Sequence, residues 1–321
     1  YPLLYPKQAY VGIATVTRVL DRATFTGKLD TGSLTVYALA FRRADGREVT
    51  ALWTTVGEAE VDVAFARRAT VESVALLGAA ETFRGRRRRV RVGTSPCYLV
   101  SDQPVKSARV RGRRYAPPPE GFAAVEPLAA TNRWVLDTGH ASMTNRNPEL
   151  PIRQLGTFNL RAVKDPERGA CLEVALVKQG ELNPLISEFT FLRAAEPLEA
   201  PGQPTDVGLW VKGDSGWGKI VFEIEDARQT TWRTEGTWHD WPGDLSVNFD
   251  GWRFLRYPID GSSTELNISP SARWSGGRGS PVFPIRLRGF YVVVNRQALD
   301  PTEMREVPAI LRFQQVGFIG R

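Results

Sequence analysis

The stretch Thr205–Ile259, TDVGLWVKGDSGWGKIVFEIEDARQTTWRTEGTWHDWPGDLSVNFDGWRFLRYPI, decides the fold. GLWVK, GKIVFEIED, TTWRT and GWRFLRYPI are short runs of β-branched, aromatic and apolar residues parted by clusters of Gly, Asp, Pro and Ser. That pattern predicts strands joined by turns. With the short tail to Trp274, the stretch also holds seven of the nine tryptophans. Trp210 and Trp252 stand in apolar strand contexts and are expected to pack in a core. Trp217, Trp238 and Trp241 stand among Gly, Asp, His and Pro, where loops are expected. Indoles so placed can stack on a pyranose while polar neighbours such as Asp214 and Asp240 bond its hydroxyls, or they can tuck under a loop as a satellite core. Both readings stay open, and Trp232 and Trp274 carry no assignment.

Outward from this stretch the strand pattern continues in both directions. RWVLDTG, LGTFNLRAV, ACLEVALV and LISEFTFLRA precede it, and PIRLRGFYVVVN and AILRFQQVGFIG follow. Ten or more strands over this span fit a jelly-roll-like sandwich. Upstream, YAPPPEGF with Pro117, Pro118 and Pro119 favours an extended conformation and reads as a semi-rigid linker over residues 116–122. Before it, YVGIATVTRVL, SLTVYALAFRR, EVTALWTTV, EVDVAFAR, TVESVALL and RRVRVGTSPCYLV read as seven or eight antiparallel strands, with Asp45-Gly46 as a hairpin turn. No apolar stripe at helical spacing persists for three turns, so no helix is expected there. The predicted fold class is all-β: a β-sandwich over 1–115 and a jelly-roll, galactose-binding-like sandwich over 123–321.

Composition bounds the function. The 321 residues are 42% hydrophobic and 24% charged, ordinary values for a folded domain, and no apolar window is long enough for a membrane-spanning helix. The chain begins at Tyr1, without the basic start and apolar run of a signal peptide, and is expected to have lost an N-terminal part. Cys97 and Cys171 read as separate thiols, and they exclude a four-cysteine zinc site. His140 and His239 stand too far apart in sequence, with no third ligand near either, to suggest a metal centre.

Residues 1–115 carry 20 basic against 10 acidic side chains, and 116–321 carry 22 against 25. The excess gathers at Arg84, Arg86, Arg87, Arg88, Arg89 and Arg91, then Arg109, Arg111, Arg113 and Arg114. The cluster reads as a solvated, aggregation-resistant edge, as the contact for an upstream catalytic domain or partner chain, or as an anion-binding surface. Nucleic acid is disfavoured, since no helix-turn-helix, RNA-recognition signature or zinc finger accompanies the arginines. Glu223 and Glu225 in FEIEDA alternate with apolar residues and read as a solvated strand face rather than a catalytic carboxylate pair. No nucleophile-elbow, phosphate-loop or dinucleotide fingerprint occurs.

Trp210-Val211-Lys212-Gly213-Asp214, Glu225-Asp226, Gly251-Trp252 and Pro258-Ile259-Asp260 together resemble the strand–turn–strand core of carbohydrate-binding modules with a galactose-binding-like jelly roll. Gln229 and Thr230 depart from that pattern, standing where it has a glycine turn. VTRVLD, TGSLTVYALAF, ALWT and CYLVSD look like the β-sandwich that follows the catalytic barrel in large secreted glycoside hydrolases. The resemblance implies a secreted or cell-surface chain that binds or positions a polysaccharide without catalysis, as the accessory part of a carbohydrate-active enzyme. It also implies a structural Ca²⁺ held by oxygen ligands. Two other classes stay open: a structural or assembly subunit of an extracellular surface or filament, and a hydrolase or lyase with an unrecognised site. Asn267-Ile268-Ser269 fits a glycosylation acceptor.

Overall fold

The computed structural model describes residues 7–137, 156–178, 188–214, 218–234, 246–259, 267–269, 280–294 and 309–320. The chain divides into two compact units, Tyr1–Ala116 and Pro117–Arg321. Among the described residues no helix is long and apolar enough to cross a membrane.

The first unit runs α1 (Gln8–Val19), β1 (Thr24–Lys28), β2 (Val36–Arg42), β3 (Glu48–Thr54), β4 (Glu58–Ala75), β5 (Ala80–Val92), β6 (Cys97–Ser101) and β7 (Val105–Arg114). The turn at Asp45-Gly46 joins β2 to β3, with Gly46 at φ +84°, where a side chain would be strained. The strands form one sheet in the order β1-β2-β3-β6-β4-β5, with β7 also on β4. The layers expected there as two sheets are thus joined by a single long strand. The first half of β4 pairs with β7 and its second half with β6, while β5 runs along its other edge. Val36, Leu52, Val61, Val63, Phe65, Val71 and Leu99 from four of these strands meet in one core.

The opposite face takes α1, which corrects the expectation of a strand at Tyr10–Leu20. Val16 and Val19 of the helix, with Leu20 at its C-cap, pack with Val49, Ala51, Val74, Tyr98 and Val100. Their spacing with Gly12 is a helical stripe of fewer than three turns. β-Branched residues lower helix propensity by only tenths of a kcal/mol each, and burying this stripe outweighs that.

The second unit runs β8 (Phe122–Glu126), β9 (Trp134–Asp137), β10 (Thr157–Asp165), β11 (Gly169–Lys178), β12 (Glu188–Glu199), β13 (Asp206–Asp214), β14 (Gly218–Glu225) and β15 (Thr231–Arg233). It continues with β16 (Ser246–Val247), β17 (Asp250–Pro258), β18 (Asn267–Ser269), β19 (Arg286–Val294) and β20 (Ala309–Ile319). Two antiparallel sheets result. One is ordered β10-β11-β20-β13-β17 with β8 on β20, and the other β18-β15-β14-β19-β12-β9 with β16 on β14.

Alternation fills the space between the sheets. Val207, Leu209 and Val211 of β13 are fully buried, as are Ile220, Phe222 and Ile224 of β14. Phe290 and Phe313, from opposite sheets, meet with ring centroids 5.2 Å apart. Trp232 joins the buried set, and its indole N–H donates to Asp226 at 3.1 Å.

Glu223 does not lie on a solvated face. It is buried, accepts from Arg233 at 3.2 Å and from the Tyr291 hydroxyl at 3.0 Å, and so is a paired structural carboxylate. Both cysteines are free thiols.

Candidate functional site

Among the described residues of the second unit, the outer face of the β10-β11-β20-β13-β17 sheet gathers a dense polar and aromatic arrangement. DVGLWVKGD builds it by period two: with Val207, Leu209 and Val211 turned inward, Gly208, Trp210 and Lys212 turn outward. Register places Lys212 opposite Trp252 and Trp210 opposite Phe254 on β17, and Lys212 opposite Arg312 on β20. Glu173 on β11 lies between Arg312 and Arg161. Gly208 is required here, because a Cβ would stand 2.6 Å from the Phe254 ring. Phe254 therefore lies flat enough to meet Trp210 and Phe122 edge-on, at 5.6 and 4.7 Å.

Asp165, at the end of β10, organises this face. Its Oδ1 accepts from the Trp252 indole N–H at 2.9 Å and the Glu167 amide at 2.9 Å. Its Oδ2 accepts from Lys212 Nζ and Arg312 Nη1, each at 2.8 Å. The side chain is wholly buried. Burial alone would raise its pKa, but the bonds from Lys212, Trp252, the Glu167 amide and Arg312 outweigh it and hold the carboxyl far below the usual range. Glu173 behaves alike: burial is outweighed by Arg161 and Arg312, and its pKa falls. Both stay ionised and keep Lys212, Arg312 and Arg161 in place.

Arg168, in the β10–β11 turn, lays its guanidinium 3.8 Å from the centroid of the Trp210 ring. It is fixed by exchange with Gln314, whose Oε1 accepts from Arg168 Nε at 2.7 Å and whose Nε2 donates to the Arg168 carbonyl at 2.6 Å. Trp210, Lys212, Arg168, Arg312 and Gln314 are all half-buried. The result is a flat platform, a cation stacked on an indole, rimmed by held donors.

This arrangement can bind but has no poised acid. Glycoside hydrolysis needs a carboxyl with a raised pKa beside an ionised one. Among the described residues every carboxylate with a displaced pKa, Asp165, Glu173 and Asp226 included, is displaced downward. No three Asp, Glu, His or Cys side chains converge among the described residues.

Trp217, Trp238, Trp241 and Asp240 lie outside the described residues, as does the side chain of Asp214. Sequence reasoning passed over Arg168, Lys212 and Arg312 and placed Trp210 and Trp252 in the core. Trp252 is buried as expected, 8% exposed with its indole N–H on Asp165, whereas Trp210 is only half-buried, on the outer face of the sheet. Strict alternation in DVGLWVKGD, with Trp210 and Lys212 out of phase with three aliphatics, is the signal that finds them.

No family model matches the chain, and no curated protein does. Similar solved structures are distant. The family 11 carbohydrate-binding module of cellulosomal cellulase Lic26A-Cel5E of Clostridium thermocellum is 8% identical, with 63% of this chain and 95% of that chain covered and a TM-score of 0.34. A carbohydrate-binding module of the β-sandwich superfamily is 10% identical, with 93% and 97% covered and a TM-score of 0.31. A mutant oxalate decarboxylase of Bacillus subtilis is 9% identical, with 93% and 77% covered and a TM-score of 0.15. Likenesses at this distance carry no argument about ligand or site.

Proposed function

We propose that this chain binds a glycan without converting it, and that the outer face of the β10-β11-β20-β13-β17 sheet receives the sugar chain. The observation that carries this is the Arg168–Trp210 stack, half-buried on a sheet face and rimmed by Lys212, Arg312 and Gln314. Sugar hydroxyls accept from those cations and amides, and a pyranose lies against the planar stack. The donors are held before binding, so little side-chain entropy is lost on contact. The downward-displaced carboxylates favour recognition over hydrolysis. In the same reading Trp217, Trp238 and Trp241, with Asp214 and Asp240, contribute further contacts to the sugar. The chain then serves as an accessory part of a secreted carbohydrate-active enzyme, a role supported by the sequence resemblance alone.

A glycan array followed by titration of tryptophan fluorescence tests the proposal. Wild type is expected to bind at least one neutral plant, algal or microbial glycan. Trp210→Ala is expected to weaken that binding about tenfold or more, since it removes the platform under Arg168. Absence of binding to every glycan, or an unchanged affinity in Trp210→Ala, refutes the assignment of this face.

A further inference from the structure

The first unit carries a second surface, on three neighbouring strands. On β4, Ala59, Val61, Val63 and Phe65 enter the core, which turns Glu60, Asp62 and Ala64 outward. Register sets Arg91, Arg89 and Arg87 of β5 beside Glu60, Asp62 and Ala64 in turn. On the other side of β4, Asp62 stands opposite Arg109 of β7, and a bulge between Arg109 and Gly112 brings Arg111 to the same carboxylate. A shallow groove of about 480 Å³ runs along this face, lined by Asp62, Ala64, Ser107 and the arginines at 87, 89, 109 and 111. The next pair in register, Glu60 and Arg91, continues this face into a second hollow lined with Arg113, so five arginines flank the carboxylates of Asp62 and Glu60.

Asp62 holds two of the five. Its Oδ1 accepts from Arg89 Nε at 2.9 Å and its Oδ2 from Arg111 Nε at 2.8 Å. Arg89 also reaches Glu60 Oε2 with its Nη1, at 3.9 Å, and the remaining N–H groups of both guanidinium ends lie along the groove. Arg109 is anchored at Asp30, its Nη1 2.6 Å from Oδ2. Arg87 and Arg91 make no ion pair with the described residues. On a strand, alternate residues repeat every 6.8 Å or so, and β5 and β7 stand about 9.6 Å apart across β4. The arginines therefore form two parallel rows of positive charge.

We propose that this groove binds an acidic polysaccharide, with its carboxylate or sulfate groups on the arginine rows and its hydroxyls on Asp62 and Glu60. Arginine pairs with such anions through two parallel N–H donors. The central carboxylates decide between polymers. A sugar hydroxyl donates to them, whereas a phosphodiester backbone has only acceptors and is repelled. Single-stranded nucleic acid also needs aromatic platforms for its bases. This face presents none: the nearby Phe83 packs on the core and is covered by the Arg88 guanidinium, 5.1 Å from its centroid. The proposal is independent of the sheet face on the second unit.

Affinity measurements on the full chain at low salt test it, with polygalacturonate, heparin, poly(dT) and neutral cellohexaose as probes. Wild type is expected to bind polygalacturonate or heparin, the better probe identifying carboxylate or sulfate as the preferred anion, and to release it as salt rises. Arg87→Gln/Arg91→Gln is expected to weaken polyanion binding about tenfold with an unchanged thermal midpoint, because neither arginine holds a described structural partner. Arg87→Lys/Arg91→Lys keeps the charge but not the fork, and is expected to recover only part of the affinity. Trp210→Ala is expected to leave polyanion binding intact, so the two sites fail separately. Poly(dT) bound as tightly as either polysaccharide, an unaffected Gln variant, or no binding of either polyanion by wild type would overturn the proposal.

Discussion

Asp165 is the residue on which the second unit's outer face turns. Its four donors come from the adjoining turn and from three other strands, and they leave it buried and ionised. Asp165→Asn keeps the shape but removes the carboxylate that Lys212 and Arg312 share, leaving Arg312 with Glu173 at 3.0 Å and Lys212 with Glu167 at 3.5 Å. We expect a loss of about 2–4 kcal/mol in urea denaturation at neutral pH. The pH dependence has a definite sign. The folded pKa lies far below the unfolded value of about 3.9, so the contribution is fully present above that value and declines as pH falls below it. Wild type and Asp165→Asn should therefore differ by a constant amount from pH 5 to 8 and converge in strong acid. A gap that widens on acidification contradicts this assignment. Lys212, Trp252 and Arg312 stand 47, 87 and 147 residues from Asp165, so no local window of sequence could have shown the cluster.

At the scale of elements, α1 shows where local reading stopped. Val16, Val19 and the C-cap Leu20 pack on a sheet face made by β3, β6 and the far half of β4, and that face exists only after strands distant in sequence have paired. A β-branched segment otherwise reads as a strand. Gly12, in the interior of the helix, offers a test. A Cβ there would stand 3.5 Å from the Leu76 side chain, an ordinary contact, while glycine lowers helix propensity. Gly12→Ala is expected to stabilise the first unit by about 0.5–1 kcal/mol, read as a higher urea midpoint with an unchanged slope. Destabilisation would mean that the helix packs more tightly on Leu76 than this distance shows. The strands were more legible. Period two in SLTVYALAF, EVDVAF and DVGLWVKGD matches the burial of β2, β4 and β13, because a pleated strand with one face on a core has no other way to arrange its side chains.

At the scale of the molecule, each unit has its own buried set, and each is long enough to bury most of its apolar surface. Residues 1–116 and 117–321, produced separately, are each expected to unfold cooperatively in calorimetry. Polyanion binding should remain with the first and neutral-glycan binding with the second, and loss of cooperativity in either piece would show that its core is incomplete. The sequence by itself determined the all-β class and the inward face of each regular strand, since both follow from short-range periodicity. Tertiary structure alone decided that β4 joins two layers into one sheet, that an N-terminal segment becomes a helix, and that Trp210 stands half-buried on an outer face beside the buried Trp252. Those outcomes depend on which strands lie side by side. A tryptophan alternating with lysine looks apolar in a window of five residues, and only the partner strand bearing Arg312 and the turn bearing Asp165 and Arg168 turn it into part of a charged surface.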